Sequence, residues 1–114
     1  MITVYGIPNC DTVKRSRAWL TDHGIAHAFH DFKSKGVPVA ELDRWIEKLG
    51  WETLVNKKGT TWRKLAPAAQ AAVTDAKSAR ALMLREPSVI KRPVVAFADV
   101  VTVGFTPDAW KVSR

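Results

Sequence analysis

Cys10 is the only thiol of the chain, and it stands in the stretch VYGIPNCDTVKRSRAWL, residues 4–20. An apolar, β-branched run precedes it and a helix-forming run follows it. That position is the start of a helix, where unpaired backbone N–H groups and the positive end of the helix dipole favour a thiolate. A free cysteine titrates near ~8.5, and helix N-termini bring such groups to roughly 3.5–7.5. Pro8 and Asn9 keep the preceding chain out of the helix, while Lys14 and Arg15 add positive potential from the next turn. Asp11 acts against them. The competing reading is inert packing, because free cysteine is among the most buried residue types. A cap position is generally partly exposed, so placement between strand and helix leaves a reactive thiol and inert packing both open.

Spacing excludes several other chemistries. Val13 stands where the resolving thiol of a Cys-x-x-Cys pair would be, and Ser16 where a cysteine-phosphatase loop carries its arginine. No metal site is expected. His27 and His30 fall on opposite faces of a short strand, and one cysteine with three histidines lacks zinc-ligand spacing. Neither a glycine-rich phosphate loop nor a dinucleotide fingerprint is present. A second feature is Arg92-Pro93, directly before the apolar run VVAF. A proline entering a strand belongs at an edge or a start. Only about 5–6% of X-Pro bonds are cis, so sequence physics assigns this one trans.

The elements that must position these residues follow from periodicity and punctuation. Residues 2–6 (ITVYG) read as a strand stopped by Gly6 and Pro8. Residues 11–22 read as a helix closed at His23-Gly24. Residues 26–32 read as a second strand, which makes a parallel βαβ unit with a right-handed crossover. A loop over 33–37 leads to a helix over 38–50, with Pro38 in its first turn and Leu42, Trp45, Ile46 and Leu49 on one buried face. Residues 56–65 form a polar turn leading back into helix. Two helices are expected over 67–86, broken near 74–78 with Ser78 as a cap; a single long helix is the alternative. The apolar runs ending at Phe97 and starting at Val100 predict an antiparallel hairpin about Ala98-Asp99, although that turn lacks glycine. Thr106 and Pro107 then open a last helix over 106–114.

At 114 residues the chain is one domain. The longest apolar stretch, VVAFADVVTVGF, is interrupted by Asp99, so no membrane helix is expected. The N-terminus lacks a signal-peptide pattern and a lone cysteine makes no disulfide framework, so the expected compartment is the cytoplasm. A net charge of +7 suits an anionic partner or simple solubility, and charge alone does not choose between them. The cations are scattered, and there is neither a recognition helix nor an aromatic platform, so direct nucleic-acid binding is not expected.

With these pieces together, the chain resembles the arsenate reductase (ArsC) family, and within it the branch holding the Spx regulators and YffB-type proteins. The resemblance runs over nearly the whole chain and rests on YGIPNCDTVKRSRAWL, NKKGTTWRKL and SVIKRPVV. It implies an α/β, thioredoxin-like fold: a four-stranded mixed sheet with a helical insertion between βαβ and ββα halves. The core would be residues 1–32 and 88–114, the insertion about 38–86, within a single domain over 1–114. It implies that Cys10 is the nucleophile and that Pro93 is cis and faces it, against the base rate. Arg92 matches an anion-binding arginine, and Arg63 a second one, with Lys64 as the alternative. Asn9, Thr12 and Lys14 would support the thiolate.

One departure bears on substrate. A third arginine that glutathione-linked arsenate reductases carry after the hairpin is missing, and Phe105 and Thr106 fill that region. Arsenate is therefore not the expected substrate. The resemblance then implies a glutathione-dependent monothiol reductase, with glutathione as co-substrate and no bound cofactor. The alternative is an Spx-like redox-stress regulator that binds the RNA polymerase α subunit, although Val13 removes the usual Cys-x-x-Cys switch.

Overall fold

The computed structural model describes residues 1–111. The chain runs β1 (Ile2–Gly6), α1 (Asp11–Asp22), β2 (His27–Asp31), α2 (Phe32–Lys35), α3 (Val39–Leu49), α4 (Trp51–Leu54) and α5 (Thr60–Lys64). It continues through α6 (Pro67–Ala71), α7 (Ala76–Arg85), a 3-10 turn at Pro87–Val89, β3 (Val94–Phe97), β4 (Val100–Val103) and α8 (Pro107–Trp110). These elements divide into two compact units, Met1–Lys35 with the segment from Arg92 onward, and Gly36–Lys91.

In the first unit the strands form one sheet in the order β2-β1-β3-β4. β1 and β2 are parallel neighbours joined through α1, with Val4 opposite Phe29. β3 runs antiparallel to β1, pairing Val4 with Val95, and β4 runs antiparallel to β3. This is a mixed four-stranded α/β sheet of thioredoxin-like order. Alternation along the strands sends Ile2, Val4, Val95 and Phe97 into one cluster with Leu20 of α1 and Trp110 of α8. Trp110 is fully buried, and its indole N–H donates to Thr102 Oγ1 at 3.0 Å. Gly24, with φ of 68°, stops α1. The β3–β4 turn places Ala98 at φ of 48°, the conformation a glycine would adopt more cheaply.

β2 is shorter than the 26–32 expected. Ala26 is exposed and unpaired in the ladder, and Phe32 starts the single turn α2 inside the anticipated loop. The last helix ends its regular turn at Trp110; residues 112–114 of the expected 106–114 span lie outside the described residues.

The second unit is helical. α3 buries Leu42 and Trp45, and Pro38 caps it rather than entering its first turn. Gly50, at φ of 82°, ends it, and α4 follows at once, a turn not anticipated from the sequence. Residues 67–86 form two helices. Asp75, not Ser78, is the N-cap of α7: its carboxylate accepts from the Ser78 amide at 2.8 Å while the Ser78 hydroxyl accepts from the Asp75 amide at 3.1 Å. Ser78 is the reciprocal partner of a capping box. Arg80 of α7 donates to Asp43 of α3 at 2.6 Å.

Candidate active site

The site is built where β1 hands over to α1. Gly6 ends β1 in direct contact with the helix, since a Cβ there would fall 2.8 Å from Val13 Cγ2. Ile7 is buried, whereas Pro8 and Asn9 are exposed and carry the chain outward. Cys10 follows in extended conformation (φ −104°, ψ 124°) as the N-cap of α1, half-buried. Its carbonyl accepts from the Lys14 amide at 3.0 Å, the first hydrogen bond of the helix. The fully buried Ser16 hydroxyl donates to the Thr12 carbonyl at 2.7 Å and ties the first turn to the next.

A helix cap is normally a side-chain oxygen that accepts from the second or third amide. Cys10 puts sulfur in that place. It forms no close cap hydrogen bond of the serine type, yet the amides of Val13 and Thr12 act on it. Partial burial pushes the Cys10 thiol up. The Val13 amide, the hydrogen bond and positive charge of Arg92, and the Thr12 amide more than offset that, leaving the thiol below its ordinary range. Thr12 contributes through its backbone. Asn9, Asp11 and Lys14 are exposed, and neither Asn9 nor Lys14 is among the groups that set this balance.

Arg92 comes from the opposite end of the chain, directly before β3. The Arg92–Pro93 peptide is cis, overturning the trans assignment made from the base rate, and Pro93 is buried at the entrance to a central strand. The Pro93 carbonyl accepts from the Gly104 amide at 2.9 Å, which draws the segment after β4 alongside. On that segment Phe105 lies under the Arg15 guanidinium, 4.0 Å from ring centroid to carbon. Thr106 Oγ1 is buried and has no hydrogen-bond partner among the described residues.

Cys10, Thr12, Arg92 and Pro93 thus belong to one unit. Arg63 and Lys64 lie on α5 of the second unit, both exposed. Trp62 and Trp51 of that unit flank Lys57, whose Nζ lies 5.5 and 5.7 Å from their ring centroids. Among the described residues no group of His, Cys, Asp and Glu converges as a metal site. The sequence places unpaired backbone N–H groups at the head of α1 without saying which of them acts; the structure gives that part to Val13 and Thr12.

A protein-family model, the ArsC family, matches residues 5–112, a span that holds Cys10, Arg63, Arg92 and Pro93. The chain belongs to the ArsC family. Among solved structures, this ArsC-family chain is similar to the YffB protein, with 44% identity and a TM-score of 0.92 over 99% of this chain and 98% of that one. It is also similar to an arsenate reductase (ArsC) related protein from Brucella melitensis, with 47% identity and a TM-score of 0.76 over 97% and 92% of the two chains. The global transcriptional regulator Spx of Streptococcus agalactiae serotype V is 26% identical over 95% of this chain and 79% of its own length. Membership of this family fits thiol-based redox chemistry at Cys10. No helix among the described residues is long and apolar enough to cross a membrane.

Proposed function

We propose that the protein is a glutathione-dependent monothiol reductase of the cytoplasm with Cys10 as nucleophile. The observation that carries this reading is the sulfur at the head of α1, acted on by the Val13 and Thr12 amides and by Arg92. The Cys10 thiolate attacks the glutathione sulfur of a mixed disulfide, and the other thiol leaves as its thiolate. The product is a Cys10–glutathione disulfide. With no second cysteine in the chain, resolution falls to an external thiol. A second glutathione thiolate attacks the glutathione sulfur, releasing glutathione disulfide and restoring Cys10. Arg92 and Arg63, or Lys64 in place of Arg63, hold the glutathione carboxylates, and the backbone entering Pro93 aligns its peptide. Arsenate is not the proposed substrate, because Phe105 and Thr106 leave the third arginine position without a cation.

The test is intact-mass kinetics of the reduced protein with glutathione disulfide near pH 7, against a peptide carrying PNCDT. Single-site modification at Cys10, far faster than the peptide and absent in Cys10→Ser, supports the reading. A rate equal to that of the peptide refutes it. If Arg92→Ala and Arg63→Ala both leave glutathione affinity unchanged, the carboxylate assignment is wrong.

The similarity to Spx over 95% of the chain favours a second reading, a regulator that binds the RNA polymerase α subunit. Retention of purified α subunit, free of nucleic acid, by wild type and Cys10→Ser alike would support a thiol-independent regulator.

A further inference from the structure

Three cations, Lys14, Arg15 and Arg17, lie along α1, and the structure treats the two arginines differently. Arg17 stacks 4.4 Å from the Phe29 ring centroid and donates to His27 Nε2 at 3.5 Å. Arg15 stacks 4.0 Å from the Phe105 ring centroid, and no described residue gives it a hydrogen bond or ion pair, not even Asp11 one turn back. Its guanidinium is held by a face while its donating edges stay open to solvent.

That held guanidinium is linked to the Cys10 site through its platform. Helix geometry sets Arg15 about 7.5 Å along the axis from Cys10 and about 140° around it. Arg15 is therefore not among the groups that act on the sulfur, although helical side chains lean toward the N-terminus, here the sulfur end. Its platform is tied to the same place. Gly104, beside Phe105, hydrogen bonds to Pro93, and Pro93 follows the arginine that contacts the sulfur. The Phe105 ring is braced in turn, edge-on to the fully buried Trp110 at 5.6 Å. A stacked guanidinium keeps its planar fork for a carboxylate, and ordering it beforehand lowers the entropy cost of binding.

We propose that Arg15, laid on Phe105, is the carboxylate anchor that selects a carboxylate-bearing disulfide at Cys10. The inference deepens the glutathione reading and rests on it. Phe105 then has a role of its own: it is the platform that holds this guanidinium in place. An anchor that does not act on the thiol suits the carboxylates of glutathione, several bonds from its sulfur, and gives little to a small oxyanion bound at Cys10.

The test compares glutathione disulfide with bis(2-hydroxyethyl) disulfide, which undergoes the same exchange without carboxylates. In each case the Cys10 thiolate displaces one thiolate and keeps the other half as a mixed disulfide. The readout is the ratio of the two rate constants by intact mass at low salt. Arg15→Gln is expected to lower that ratio about tenfold, as loss of one charge-assisted contact would. Phe105→Leu should lower it in the same direction, with its melting curve recorded alongside. A ratio unchanged in Arg15→Gln overturns the proposal, as does an equal loss with both disulfides. A wild-type protein with no preference for glutathione disulfide overturns the glutathione reading itself, and the two failures are told apart by the wild-type ratio.

Discussion

The Cβ that Gly6 lacks would fall 2.8 Å from Cγ2 of Val13, the residue whose amide acts on the Cys10 sulfur. Contact between the end of β1 and the first turn of α1 is therefore set by the absence of a methyl group. Val13 is almost fully buried and β-branched, so its side chain has little freedom to yield. Gly6→Ala should cost about 1–3 kcal/mol in denaturant unfolding, the usual penalty of overpacking. The same variant should react more slowly at Cys10, because the helix start must shift. Unchanged stability and reactivity would show that the contact tolerates displacement.

The pH dependence of Cys10 alkylation follows from its surroundings. The folded thiol lies below the ordinary value, with burial opposed by the Val13 and Thr12 amides and Arg92. The rate should reach its plateau at lower pH than for an unfolded control. Arg92→Gln should move the profile toward higher pH. The linked stability effect has a definite sign. A depressed pKa contributes stability that is full above the unfolded value near ~8.5 and is lost as pH falls through the folded value. The stability of wild type relative to Cys10→Ser should therefore grow with pH across that window.

Asp75 offers a second pH signature, at the cap of α7. Its carboxylate is held below the usual range by the Ser78 amide and hydroxyl. Asp75→Ala should lower the melting temperature at neutral pH. The gap to wild type should begin to shrink as pH falls below the unfolded value of about 4 and close only below the depressed folded value, where the native carboxylate is protonated too. A gap that persists undiminished in acid would mean that the cap acts without its charge.

The buried indole of Trp110 and the Thr102 hydroxyl form a pair suited to a double-mutant cycle. Thr102→Val leaves a buried N–H without its acceptor and should cost about 1–3 kcal/mol. Adding Trp110→Phe removes the orphaned donor, so the double variant should be more stable than the two single losses predict. Strict additivity in urea unfolding would contradict the pairing.

What could be read from the sequence depended on how locally each feature is encoded. The head of α1 was legible because Pro8 and Asn9 stop one conformation and Gly24 stops the next, all within the helix's own neighbourhood. The four-stranded sheet was implied by the family resemblance, and the hairpin was legible from two apolar runs, even though Ala98 rather than glycine takes the positive φ. The α7 cap was placed three residues late, because Asp75 and Ser78 are both capping residues and each bonds the other's backbone. α4 was missed because four residues carry no helical period. The cis bond before Pro93 has no local code, and only the resemblance implied it. The Val13 amide is present whatever the side chain, and the Arg15–Phe105 contact joins residues far apart in sequence.

The pairing of Thr3 with Ala96 has a consequence for how the protein is made. β1 leaves the ribosome before the whole helical segment, and its antiparallel neighbour β3 only after it. The unit spanning Gly36–Lys91 is contiguous, so all of its contacts are available while β3 is still untranslated. The sheet, and with it the placing of Arg92, is completed only after that unit has been made, by closure of the long loop between β1 and β3. A nascent chain stalled before Arg92 would present Cys10 on a βαβ fragment without its arginine, so the thiol acquires its full activation only once that residue has been translated and β3 has paired.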